Sequence, residues 1–161
     1  MICPMEEEFQ IELRQQADYR FEVHFDNPAV PVLITDEDAP VGADTGPSPT
    51  RLLGTAVANC LAASLLFAMR KFRNEPGPLR AVATVRLSRN ENKRLRIGHI
   101  GVDLHFAMAA SQVQMLDRIL SQFEDFCVVT QSVRAAIPVD VRVIDATGTV
   151  VRASGTVGSA A

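Results

Sequence analysis

The chain has 161 residues, 47% of them apolar and 22% charged, with a formal net charge of −3. That size favours one domain able to bury a real core, and the composition is that of an ordinary soluble protein. The mildly acidic balance, without a long basic run, argues against a general nucleic-acid binder, whose binding face is normally basic.

The start, "MICPMEEEFQIEL", lacks the basic and apolar regions of a secretory signal. With three cysteines, Cys3, Cys60 and Cys127, the expectation is a reducing, cytoplasmic setting and no disulfide framework. "EFQIELR" (8–14) alternates Phe9, Ile11 and Leu13 on one face, and "YRFEVHF" (19–25) alternates Tyr19, Phe21, Val23 and Phe25. Both are predicted to be half-buried strands joined by a turn in "RQQAD", with a third short strand near Val32 to Thr35. The acidic, Gly- and Pro-rich stretch 36–49 is predicted to be a loop. It ends on a helix start, with Ser48 as N-cap and Pro49 at the first helical position.

That helix is predicted to run to about Phe72, where "RNEPGP" stops it. Its stretch Leu52 to Met69 raises the question of a membrane span. Gly54, Thr55, Asn59, Cys60 and Ser64 within it, and the bracketing Arg51 and Arg70, favour a helix of a soluble core. Its weak amphipathicity predicts burial of most of its circumference. "LRAVATVRLSR" turns Leu79, Ala81, Ala83, Val85 and Leu87 inward. "RLRIGHIGVDLHF" shifts phase from Leu95 and Ile97 to Ile100, Val102, Leu104 and Phe106, which predicts a bulge at Gly98-His99. An amphipathic helix carrying Val113, Leu116, Ile119, Leu120 and Phe123 follows, with Ser111 and Gln114 as a capping box. A short helical piece in "VVTQSVRAA" leads to a final strand with Val139, Val141 and Val143 on one face. The order β-β-β-α-β-β-α-(α)-β is α+β: one domain over 1–161, with a core at about 8–145 and a loosely structured tail at 146–161.

Little in the chain spells a known site. His24, His99 and His105 form no ligand pair and there is no Cys-x-x-Cys, so the histidines are expected to be ordinary surface residues and no metal or other cofactor is expected. Phosphate-loop and nucleophile-elbow motifs are absent. By themselves Cys60 and Cys127 read as small packing residues or as reactive thiols; Cys3 reads as incidental. Cys60 lies about three turns into its helix, beyond the reach of the N-terminal dipole, so a thiolate there needs a cation from elsewhere in the fold. Arg51 faces away, and Arg20, on a strand, is the freer candidate.

"DTGPSPTRLLGTAVANC" resembles the segment leading to the first cysteine of the osmotically inducible protein C (OsmC) family. "FEDFCVVTQSVRAAIPVDVRV" resembles that family's second-cysteine region, and "FEVHFDNPAVPVLITDEDAP" its N-terminal sheet. The resemblance covers about residues 8 to 145. It implies antiparallel sheets wrapped around two long central helices, an intertwined homodimer, and active sites at the dimer interface. It also implies a thiol-dependent hydroperoxide reductase in which Cys60 becomes a sulfenic acid, Cys127 resolves it as a disulfide, and a lipoyl or thioredoxin-like dithiol reopens the bond. No nucleic-acid or membrane partner is implied. The departures are Thr50 and Arg51 where that family carries a glutamate, Cys-Val-Val-Thr in place of Cys-Pro-Val-Ser, and an activating arginine for which Arg20 is the nearest candidate. Glu124 or Asp125 is a candidate carboxylate, and Asn59 a candidate hydrogen-bond partner. The rival expectations are a dimer that binds a small apolar or thiol-reactive molecule without turnover, and a structural dimer with inert thiols.

Overall fold

The computed structural model describes residues 7–155; Cys3 and the segment 156–161 lie outside them. The chain falls into two compact units that divide between Leu52 and Leu53, and each is taken by itself.

The first unit carries a three-stranded antiparallel sheet in the order β1-β2-β3, with β1 at Ile11–Ala17, β2 at Arg20–Phe25 and β3 at Leu33–Thr35. The turn is tighter than the expected "RQQAD". Arg14 to Ala17 stay in β1, and Asp18, in the left-handed region at φ 43°, turns the chain. A short acidic side chain tolerates that conformation. Ile11 and Leu13 share a face as expected, but they remain 49% and 58% exposed, so β1 is not the half-buried strand its alternation predicts. Only Val23 in β2 and Thr35 in β3 are buried among the strand residues of this unit. The loop after β3 is ordered by one carboxylate. Asp36 accepts the backbone N–H of Glu37, Ala43 and Thr45 and the hydroxyl of Thr45, at 2.7–3.1 Å.

The loop delivers the chain to α1, Pro49–Lys71, at the predicted start. Pro has no N–H to waste in the first turn, and the Ser48 carbonyl accepts the Leu52 N–H at 3.0 Å. By length and composition α1 could cross a bilayer. Its Val57, Leu61, Leu65 and Met69 are nevertheless fully buried in the core of the second unit. The expectation that most of its circumference is buried does not hold. Thr55, Asn59, Ala63 and Phe67, four residues apart, form an exposed stripe. The helix ends in a Schellman arrangement. Arg73 adopts φ 60°, its N–H reaches the Arg70 carbonyl at 2.9 Å, and the Asn74 N–H reaches the Met69 carbonyl at 3.0 Å. Asn74 is the clasp: it is 3% exposed. Its Nδ2 donates to the carbonyls of Met69, Phe72 and Gln114, and its Oδ1 accepts the Gln114 N–H at 2.7 Å.

The second sheet has the order β4-β5-β6-β7, with β4 at Arg80–Arg89, β5 at Leu95–His105, β6 at Val139–Ile144 and β7 at Val150–Ser154. β4 and β5 are antiparallel, and their register steps from Arg86↔His99 to Leu87↔Ile97, leaving Gly98 unpaired as the expected bulge. Ile100, Val102, Leu104 and Phe106 then fall on the core side and are buried. β4 is not covered as its pattern predicts: Val85 is half-buried, while Ala81, Ala83 and Leu87 are exposed. β6 lies parallel to β5 after a helical crossover and buries Val139, Val141 and Val143.

Two expectations about the C-terminal half are corrected. The second long helix is absent among the described residues, which hold one long helix. In its place stand a 3-10 turn at Ala110–Gln112, α2 at Leu116–Gln122, a 3-10 turn at Phe123–Phe126 and α3 at Val128–Val133. Gln114 is held by Asn74, and Met115 at φ 58° turns the chain in the left-handed region, so the helix cannot start at Ser111. Ala109 N–H instead meets Gln112 Oε1 at 3.3 Å. The tail is also not loose as far as Gly155, because β7 pairs with β6. Asp145 builds that turn by accepting the N–H of Thr147 and Thr149, and it ties the turn to Ala110 N–H at 2.9 Å. The Thr147 side chain and these amides hold its pKa down at about 2 from 3.8. A depressed carboxylate stabilises the fold above its unfolded pKa and loses that contribution as pH falls through the folded one. Acid titration of the wild type is therefore expected to lose, between about pH 4 and pH 2, a component of stability missing from Asp145→Asn, read as Tm against pH.

Candidate active site

α1 carries Cys60, half-buried on its core-facing side, and Cys127 sits at the junction of a 3-10 turn and α3. Cys127 is fully buried, with φ −83° and ψ 93°. Its N–H bonds the Glu124 carbonyl at 3.1 Å, and its own carbonyl accepts the Gln131 N–H at 2.9 Å. The backbone is thus pinned on both sides of the thiol. Both sulfurs are free thiols, and they are hydrogen-bonding neighbours.

Burial pushes the Cys127 thiol up from its ordinary value of 9.0, and the contact with Cys60 pushes the same way. A second thiolate beside the first would meet like charge in a poorly solvated place. Thr130 opposes this. Its hydroxyl lies 3.0 Å from Cys127 Sγ, and hydroxyl and amide together favour the thiolate. The net result keeps Cys127 protonated. Thr130, fully buried, was not singled out in the sequence. The signal was the Cys-x-x-Thr spacing, which sets the two side chains together at the opening of a helix.

The other sequence candidates have surroundings of their own. Arg20, at the start of β2, lines a cavity of about 360 Å³ within the first unit with Asp18, Asp36, Gly42 and Thr45. Thr50 Oγ1 lies 3.1 Å from Ser48 Oγ, and Arg51 pairs with Asp38. Glu124 is buried, and its carboxylate is committed to Arg134, Arg152 and Ser154 at 2.5–3.3 Å. Burial alone would raise its pKa; those bonds outweigh burial and hold it below the usual value. It fastens β7 to the turn before Cys127 and presents no free oxygen for a proton transfer. Asp125 is exposed. Asn59 is exposed on α1 and lines an open groove with Thr55, Ala58, Ala62, Leu79, Ala81 and Ala83. Of the histidines, His24 pairs with Glu22, and His99 is a half-buried partner of Asp140 instead of an ordinary surface residue. Among the described residues no cluster of three or more His, Cys, Asp or Glu side chains is placed to hold a metal.

A sequence model described as OsmC-like protein matches residues 42–142. No curated protein sequence matches the chain. Solved structures share its fold at low identity. An OsmC-like protein of unknown function from Vibrio cholerae superposes with a TM-score of 0.72 at 13% identity, covering 86% of this chain and 100% of that one. The organic hydroperoxide resistance protein OhrB of Bacillus subtilis superposes with a TM-score of 0.61 at 16% identity, covering 85% and 98%. A putative organic hydroperoxide resistance protein from Vibrio cholerae, with captopril bound in one of its active sites, gives 0.61 at 18% identity, covering 92% and 99%.

Proposed function

Because the chain belongs to the OsmC-like protein family, we propose that it is a thiol-dependent hydroperoxide reductase in which Cys60 attacks and Cys127 resolves. The observation that carries the reading is the direct contact of the two thiols, one half-buried and one fully buried. Cys60 as thiolate attacks one oxygen of a hydroperoxide; the O–O bond breaks, the alkoxide leaves, and Cys60 becomes a sulfenic acid. The Cys127 sulfur then bonds that sulfenic sulfur, and the displaced hydroxide takes the Cys127 proton and leaves as water. A Cys60–Cys127 disulfide remains. A lipoyl or thioredoxin-like dithiol supplies the two electrons and two protons that reopen it. The raised pKa of Cys127 suits the second role: a protonated thiol does not compete for peroxide, and it stays in place while Cys60 reacts.

In this reading the protein works as a cytoplasmic homodimer. Apolar side chains left uncovered support a second copy: Leu13 is 58% exposed on β1, Phe67 62% on α1 and Leu87 51% on β4. A second reading, binding of a small molecule without turnover, is favoured by one observation: the positions of the family's glutamate hold Thr50 and Arg51, engaged with Ser48 and Asp38. One experiment separates the two. Reduced protein is mixed with an organic hydroperoxide, and its thiols are mapped by mass spectrometry. A Cys60–Cys127 disulfide formed as peroxide disappears supports the reductase; peroxide left intact beside two free thiols supports binding alone.

A further inference from the structure

Cys127 and Thr130 stand three residues apart at the opening of α3, and both side chains are fully buried. That spacing puts Thr130 about one helical turn past the cysteine, where the two side chains can meet. A threonine in a helix often turns its hydroxyl back to the carbonyl three or four residues earlier. Here it does not. The Cys127 carbonyl accepts the Gln131 N–H at 2.9 Å, while the Thr130 hydroxyl lies 3.0 Å from the Cys127 sulfur. Among the described residues that sulfur is the hydroxyl's hydrogen-bond partner, and no carbonyl shares it.

Burial, Cys60 and Thr130 are the strongest influences on the Cys127 thiol, and no charged side chain is among them. Burial and Cys60 disfavour the thiolate; Thr130 favours it. The nearby Glu124 carboxylate is spent on Arg134, Arg152 and Ser154. On the way to a disulfide, Cys127 therefore gives up its proton in a poorly solvated place. A hydroxyl suits that need, because it has one donor and two acceptor sites and rotates between them. In the reduced pair the Cys127 S–H donates to Thr130 Oγ1, which fixes the direction of the thiol. Once the proton goes, the same oxygen can turn its own hydrogen onto the sulfur, a bond that negative charge strengthens. The backbone beneath stays in place, since the Cys127 N–H and carbonyl are both held.

We propose that, in the reductase cycle above, Thr130 is the positioning residue of the second step: its hydroxyl holds the Cys127 sulfur and steadies the charge on it as the disulfide closes. In that step the S–S bond forms, the S–O bond of the Cys60 sulfenic acid breaks, and hydroxide leaves with the Cys127 proton as water. The sulfenic sulfur is reduced and the Cys127 sulfur oxidised, so no outside reactant is needed. The first step does not depend on Thr130, because its hydroxyl is engaged with Cys127. A slow second step would leave the sulfenic acid open to more peroxide and to the sulfinic acid, so the hydroxyl also protects Cys60.

The test mixes reduced full-length protein with one equivalent of cumene hydroperoxide at a series of pH values and follows intact mass after rapid acid quenching. Thr130→Val keeps the shape and removes the hydroxyl. It is expected to consume the peroxide at the wild-type rate and to close the disulfide about tenfold more slowly, the loss of one hydrogen bond to a charged group. The pH at which closure becomes fast is expected to rise, since removing a group that favours the thiolate raises the thiol's pKa. Thr130→Ser, which keeps the hydroxyl, is expected to retain the wild-type rate and pH profile. If valine unfolds the protein, Thr130→Ala against Thr130→Ser makes the same comparison, as those two differ by the hydroxyl alone. Closure at the wild-type rate and pH in the variants without the hydroxyl overturns the proposal and leaves the reductase reading standing. Equal slowing in Thr130→Ser also overturns it, because the methyl would then be what matters. Wild-type protein that leaves the peroxide intact overturns both.

Discussion

On the proposed mechanism, in which the Cys60 sulfur attacks, Cys60→Ser is expected to abolish hydroperoxide consumption, by roughly 10³-fold or more, because a serine hydroxyl is not ionised at neutral pH. The swap changes one atom on a half-buried position, so the circular dichroism spectrum and Tm should stay close to wild type. Cys127→Ser should behave differently. The first attack survives, so one equivalent of peroxide is consumed and the Cys60 sulfenic acid becomes trappable with dimedone. Turnover then stops, since no buried thiol condenses with the sulfenic acid, and excess peroxide drives Cys60 to the sulfinic acid. The measurements are peroxide loss by a colorimetric assay and intact mass. Full turnover in Cys60→Ser would sink the assignment of the attacking residue. A Cys127→Ser protein that turns over like wild type would instead show that the resolving thiol comes from outside the chain.

Asn74→Ala is expected to cost about 2–3 kcal/mol of stability, the range for stranding buried hydrogen-bonding groups. For a chain this size that is a fall in Tm of roughly 5–10 °C. The side chain makes four bonds. Three go to the carbonyls of Met69, Phe72 and Gln114, and one comes from the Gln114 N–H. Alanine strands the Gln114 N–H and removes the side-chain donor from the Phe72 and Gln114 carbonyls, while the Met69 carbonyl keeps the Asn74 backbone N–H. Asn74→Asp should be no better, because it keeps an acceptor for Gln114 but turns a second oxygen toward three carbonyls. Urea denaturation followed by circular dichroism reads both variants; a midpoint within 0.2 M of wild type for Asn74→Ala would refute the clasp.

What could be read along the chain was whatever depends on neighbours a few residues away. The start of α1 at Ser48 and Pro49 is a capping signal. The Gly98 bulge showed as a phase shift between Ile97 and Ile100, and β6 showed as alternating valines. Two sequence contexts around Cys60 and Cys127 were enough to suggest the family, which the match over residues 42–142 bears out. Where the reading failed, the deciding partner was distant or the alternation was silent about cover. β1 has the apolar alternation of a buried face, yet Ile11 and Leu13 stay exposed. The expected second helix breaks at Met115 because Gln114 is bound to Asn74, 40 residues earlier. β7 looked like a tail because its polar residues, Arg152 and Ser154, find their partner in Glu124, 28 and 30 residues back.

By itself, then, the sequence determined the identity of most elements, the outline of the core and the pair of cysteines worth pursuing. Backbone propensity and side-chain period are local and act before any tertiary contact forms. Only the tertiary structure decided that the two thiols touch, that burial and Cys60 hold Cys127 protonated while Thr130 opposes them, and that Glu124 is spent on Arg134 and Arg152. Reactivity depends on local dielectric and on charges that the fold carries in from remote parts of the chain, and spacing along the sequence does not encode either.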